Sequence, residues 1–253
     1  MSLPLVKTDD SGRSVEEVLS AVRRQMETLA DAGFLASMQG FFKEPLQGYG
    51  IRSADLRHMA ADLYRGVKLW PVPQRNLLCR RLWESGKSEE GTLAIYLYKR
   101  FERQCGVCEF HLFEKWIDRY VTNWGHCDGV AMYLLGACVL NEPELSAELA
   151  AWTESSNRWK RRAAAVALVY PSRRGLQTQR VFQIGNALRD DPDDLVQKAT
   201  GWLLKETYKE KPRETVRFLR KRTSPFPRLV LRYAAEKMAK ADREAVLAPC
   251  AKM

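Results

Sequence analysis

Helical periodicity runs through almost the whole chain, broken only at short Pro- or Gly-marked turns, and this leaves packed short helices as the available architecture. Val15, Val18 and Leu19 open an apolar stripe at intervals of three and four that reaches Leu29. Ser14 precedes it as an N-cap, with Glu17 placed to complete a capping box. Comparable stretches are predicted over 53–66, 73–85, 88–103, 107–121, 125–140, 143–153, 157–169, 176–189, 192–208, 212–221 and 225–240. The breaks fall at Gly48-Tyr49-Gly50, Trp70-Pro71-Val72-Pro73, Asn141-Glu142-Pro143, Tyr170-Pro171, Asp191-Pro192 and Lys211-Pro212. Alternating strand patterns are missing, so the expected fold class is all-α.

Two C-terminal segments read alike. Residues 159–168 and 195–204 each place a basic residue before small residues and an aliphatic face, and Arg162 and Lys198 are 36 residues apart. That period fits a HEAT-like helical repeat solenoid, a curved stack of antiparallel helix pairs in which small residues let neighbouring helices approach closely. No Gly/Ser/Pro-rich linker interrupts the chain, so residues 1–253 are expected to form a single domain, with 1–13 and 249–253 as frayed ends.

Charge says what such a stack would meet. The net charge is +10, unevenly spread: residues 1–126 carry 18 Lys/Arg against 16 Asp/Glu, and residues 127–253 carry 23 against 15. Within 157–240 the count is 21 basic to 8 acidic, a one-sided field that attracts polyanions. If the second helix of each pair lines the concave side, Arg162, Lys198 and Lys205 face inward together and cradle a phosphate backbone. A solvated basic face that only confers solubility is the plainer reading of the same charge.

No apolar run approaches the roughly 18 residues of a membrane span, and the first residues lack the pattern of a secretory signal. The expectation is a cytoplasmic protein with no membrane association. Six cysteines do not outline a disulfide framework in a chain of this length. Cys105 and Cys108, with His111 nearby, have metal-like spacing, but no second pair follows, so reduced structural thiols are expected and no metal.

The most unusual segment is Thr122 to Val130. Asn123 is a good N-cap, which puts Trp124 at the first helical position and Asp128 one turn on, indole and carboxylate on one face. A carboxylate near a helix N-terminus is favoured in its ionised form. Arg162 and Trp202, from the two following repeats, complete a set that would converge on one concavity. Singly, each has a bland reading: a tryptophan in a repeat serves the core, and an aspartate caps a helix.

Five segments in order carry a resemblance: Gly50-Ile51-Arg52-Ser53-Ala54-Asp55-Leu56-Arg57, Leu82-Trp83-Glu84, Asn123-Trp124-Gly125-His126-Cys127-Asp128, Asn157 to Ala164, and Gln197 to Leu204. From about residue 34 to 222 the chain resembles the AlkD-type bacterial DNA glycosylases, HEAT-like repeat proteins that excise positively charged alkylpurines. The resemblance implies that Asp128 is the catalytic aspartate and that Trp124 and Trp202 flank the sugar and backbone of the damaged nucleotide. It implies phosphate contacts for Arg162 and Lys205, with Lys198 as a basic neighbour, and a DNA contact for Phe41. One departure stands out: where the family has another Asp and a Val between the Trp and the Asp, this chain has Gly125-His126-Cys127. His126 there reads either as a new proton donor or as an exposed, idle histidine.

The activity so implied is monofunctional hydrolysis of N3- or N7-alkylated purines from duplex DNA without base flipping. No lysine is placed as a Schiff-base nucleophile, and no metal or organic cofactor is implied. The partner is double-stranded DNA carrying alkylated purines, engaged by a monomer and, in use, in the bacterial nucleoid. The rival class is a non-catalytic helical-repeat protein that binds DNA or a protein partner through its basic face.

Overall fold

The computed structural model describes residues 13–220 and 225–248, and every regular element among them is helical. The chain gathers into two compact units, Met1–Phe101 and Glu102–Met253, and the division falls in a stretch with no Gly/Ser/Pro-rich linker.

The first unit holds α1 (Val15–Thr28), α2 (Ala32–Gln39), α3 (Ser53–Val67), α4 (Val72–Glu84) and α5 (Ser88–Lys99). The Ser14/Glu17 capping box forms as the sequence predicts. Sequence periodicity missed α2, and the reason is physical: none of its residues is buried, so no apolar stripe marks it. Buried carboxylates organise this unit. Glu89 accepts from the backbone N–H groups of Tyr49, Gly50 and Ile51 at 2.9, 2.7 and 3.2 Å. Glu90 accepts from the Tyr49 hydroxyl at 2.9 Å and from Arg23 at 3.0–3.2 Å. Gly50 has φ +80 and passes so close to the Asp31 carbonyl that no Cβ would fit, which explains why glycine stands in this turn.

The second unit begins with α6 (Val107–Arg119) and α7 (Trp124–Asp128), which runs on through a π-helical stretch (Gly129–Leu135) into α8 (Gly136–Asn141). The predicted 143–153 helix is a short α9 (Ser146–Ala151) between two 3-10 turns. Next come α10 (Arg158–Val166), α11 (Val169–Ser172), α12 (Thr178–Ala187), α13 (Asp194–Glu210) and α14 (Pro212–Leu219). Pro171 sits inside α11 and does not end it; the break comes at Gly175 and Gln177, both with positive φ. The predicted 225–240 helix is α15 (Arg228–Ala235), and a separate α16 (Lys240–Leu247) follows.

Within this unit α7, α10, α13 and α15 are successive neighbours, and α12 and α14 pack on α13. Ala163, Ala164 and Ala165 are fully buried in α10, as close helix packing requires. Gly201 makes the nearest approach. A Cβ there would collide with the Cβ of Tyr233 and lie 2.8 Å from the Val230 carbonyl oxygen, both on α15. Gly201→Ala would gain about 1 kcal/mol of helix propensity. Overpacking against backbone costs more, about 1–3 kcal/mol, because the carbonyl cannot rotate away. The expected outcome is a lower melting temperature by circular dichroism, and a melting temperature at or above wild type would show that α13 and α15 separate freely.

Candidate functional site

Asn123 initiates α7, its side-chain oxygen accepting from the His126 N–H at 2.9 Å. This places Trp124 and Asp128 one turn apart on a face that is only half-buried, while His126 and Cys127 turn inward. His126 is 7% exposed, with its Nδ1 3.4 Å from the Asn123 amide, so it is not the exposed histidine that one sequence reading offered. The Cys127 thiol donates to the Trp159 carbonyl at 3.4 Å, and burial, with the Asp128 charge next to it, pushes its pKa well up. Of the Gly125-His126-Cys127 departure, His126 and Cys127 therefore enter the core of the unit, while Gly125 stays half-buried.

The π-helical stretch starts immediately after Asp128. Such stretches appear mostly as single-turn insertions in α-helices and cluster at functional sites. Gly136 ends this one against α11, where a Cβ would lie 3.0 Å from the Ala167 carbonyl oxygen and 3.1 Å from the Tyr170 Cβ. Neither feature was visible in the sequence, since residues 125–140 read as one uninterrupted helix.

Asp128 and Arg162 meet directly. Arg162 donates from Nε to Asp128 Oδ1 at 2.8 Å and from Nη2 to Oδ2 at 2.7 Å, a bidentate fork. Its Nη1 donates to the Leu195 carbonyl in the first turn of α13, so one guanidinium ties α7, α10 and α13 together. The Arg162 side chain is 7% exposed and that of Asp128 17%. The sequence places a phosphate contact on Arg162, but in the structure its fork is directed at Asp128. Burial raises the pKa of Asp128, while the Arg162 charge and hydrogen bonds pull it down; burial is the largest of these and the net shift is upward.

Lys198, Trp202 and Lys205 follow Leu195 along α13. Trp202 lies seven residues on, about 10 Å along the axis. Lys198 pairs with Asp194 at 2.8 Å and Lys205 with Glu236, the C-cap of α15, at 2.9 Å. Both pairs are partly open to solvent, and exposed pairs of that kind contribute little stability. Phe41 belongs to the first unit, just after α2, and is 69% exposed.

Sequence reasoning missed Glu206. It is 3% exposed and accepts from the Trp202 indole N–H at 3.3 Å, while Arg173 (3.0 Å) and Lys209 (2.6 Å) hold its carboxylate. The i,i+4 spacing to Trp202 was the only available signal. Burial raises the pKa of Glu206, but the hydrogen bonds from Lys209 and Arg173 outweigh it and the net shift is downward from 4.5. A carboxylate with a lowered folded-state pKa stabilises the fold fully above its ordinary value and loses that contribution as pH falls below it. Glu206→Gln is expected to flatten the decline of stability below about pH 4.5, measured as urea midpoints across acid pH. An unchanged acid decline would remove Glu206 from that role.

Cys105 is buried with its thiol at Cys138, Cys108 is exposed, and His111 turns to Glu114 (3.4 Å) and Glu148 (3.8 Å). Among the described residues no group of three or more His, Cys, Asp or Glu side chains gathers to hold a metal ion. Among them, too, no helix is long and apolar enough to cross a membrane.

Comparison with known proteins gives the family and the fold. The model of the family described as DNA alkylation repair enzyme matches residues 22–238. A solved structure titled a predicted DNA alkylation repair enzyme from Enterococcus faecalis aligns with a TM-score of 0.75 at 19% identity, over 83% of this chain and 97% of that one. At that identity the likeness establishes the fold. No curated protein sequence matches the chain.

Proposed function

The chain belongs to the DNA alkylation repair enzyme family, and from that premise we propose that it is a monofunctional glycosylase releasing cationic N3- or N7-alkylpurines from duplex DNA. The observation that carries the reading is the Asp128 carboxylate, fixed by a two-point fork yet 17% exposed. Arg162 engages one lone pair on each oxygen, and each oxygen keeps a second.

Alkylation at N3 or N7 leaves the purine positively charged, so its glycosidic bond is already weak. Positive charge develops on the deoxyribose as that bond stretches. A fixed carboxylate beside C1′ stabilises the charge without reorganising, which is where electrostatic catalysis gains most. Water then adds to C1′. The electrons of the broken bond neutralise the departing purine, and the water proton passes to Asp128 and on to solvent. The raised pKa makes Asp128 a stronger base than an exposed aspartate, while Arg162 keeps it ionised and oriented.

Trp124 and Trp202 supply aromatic faces to the cationic nucleotide, with Glu206 holding the Trp202 ring. Lys198 and Lys205 exchange their carboxylates for phosphates, and Phe41 adds a DNA contact from the first unit. Catalysis from the sugar side needs no pocket for the base, so the purine stays stacked and no metal or organic cofactor takes part.

The test is base release from a duplex carrying a single N7-methylguanine under single-turnover conditions, with abasic sites scored after alkali. Release with an intact strand before alkali is expected. Tight duplex binding with no release would favour a non-catalytic DNA binder.

A further inference from the structure

Basic side chains flanking Arg162 on α10, and Lys198 and Lys205 on α13, are already paired with carboxylates: Arg158 with Asp193, Lys160 with Glu114, Arg161 with Asp191, Lys198 with Asp194 and Lys205 with Glu236. The positive charge free to meet a polyanion lies further along the chain. On α15, Arg228 and Arg232 are both exposed, and neither has a hydrogen bond or ion pair among the described residues. Spaced by four, they share one face of the helix, and Glu236 continues that face by another four.

Glu236 joins this face to the candidate site, because its carboxylate receives Lys205 from α13 at 2.9 Å. The join is close because Gly201, next to Trp202, lets α15 pack directly on α13, with Tyr233 36% exposed beside it. The Lys205–Glu236 pair and the Gly201–Tyr233 approach thus join α13, which carries Trp202 and Lys205, to α15, which carries Arg228 and Arg232.

We propose that this α15 face is a second docking surface for duplex DNA, gripping backbone phosphates that flank the damaged nucleotide, with Tyr233 against the sugar-phosphate chain. The argument rests on charge complementarity and on continuity with the site, and it presupposes the DNA-directed reading above. Glu236 has a defined part: it pairs with Lys205 in the free protein and yields it to phosphate when DNA arrives.

Each phosphate contact contributes close to one unit to the salt dependence of duplex binding. Affinity of the full chain for an undamaged 25-base-pair duplex would be measured by fluorescence anisotropy across a salt series. Arg228→Ala/Arg232→Ala is expected to lower the log–log salt slope by about 2 and to weaken binding at least tenfold at low salt. Arg213→Ala/Arg217→Ala removes equal charge from exposed positions on α14 and is expected to leave the slope near wild type. Equal losses from both pairs, or none from the α15 pair, would overturn the proposal, as would a loss confined to single-stranded RNA or to an acidic protein. Both pairs lie on exposed faces, and circular dichroism confirms folding. Failure of the wild-type protein to bind duplex at all would instead refute the underlying reading of the site.

Discussion

Asp128→Asn is expected to lower single-turnover release of N7-methylguanine about a hundredfold or more while duplex affinity rises. The substitution keeps shape and removes charge. A loss of ~3 kcal/mol of transition-state stabilisation corresponds to about two orders of magnitude in rate. Affinity is expected to rise because Arg162, now facing a neutral amide, becomes a net positive charge at the site. The same change leaves a guanidinium that is 7% exposed without its counter-charge, so the variant should also melt earlier. Rates must therefore be compared at matched folded fractions. A structural aspartate would show the lower melting temperature with undiminished release per folded molecule, and that result would remove Asp128 from the chemistry.

Arg162→Ala approaches the same pair from the other side. Breaking a buried, bidentate ion pair by deleting one partner costs about 3 kcal/mol or more, because the remaining charge stays in a poorly solvated place. The carboxylate has an escape that the guanidinium lacks: it takes up a proton. Burial already raises the pKa of Asp128, and Arg162 is what opposes that rise. Without it the pKa climbs further, so the ionised fraction at a given pH falls. The acid limb of the pH–rate profile is expected to move to higher pH, with activity partly recovered on raising the pH. A phosphate contact alone predicts otherwise, namely weaker duplex binding on every sequence and an unmoved pH limb. Pre-steady-state rates across pH, beside duplex affinity, separate the two. An unmoved limb would show that Arg162 does not act through Asp128.

The helical architecture was legible because its signals are local. Apolar spacing, Ser14 with Glu17 and Asn123 before Trp124 each act over a few residues, and both caps formed as read, whereas the Tyr170-Pro171 break fell instead at Gly175 and Gln177. Elements without a buried stripe left no such mark, which is why α2 escaped notice. Asp128 and Arg162 could be singled out by residue type, and their 34-residue separation is one that a repeat brings together. The set of residues was therefore written in the chain.

Their pairing was not. Whether a guanidinium turns to a phosphate or to a carboxylate depends on what else lies within about 3 Å and on how much water remains, and both are properties of packed helices. Tertiary contact alone decided that Arg162 binds Asp128 and the Leu195 carbonyl. It also decided that Glu206 holds Trp202, that burial raises the Asp128 pKa against the pull of Arg162, and that Arg228 and Arg232 share an exposed face of α15. A sequence specifies charges and periodicities residue by residue, while desolvation and partner choice are fixed only once distant segments share the same space.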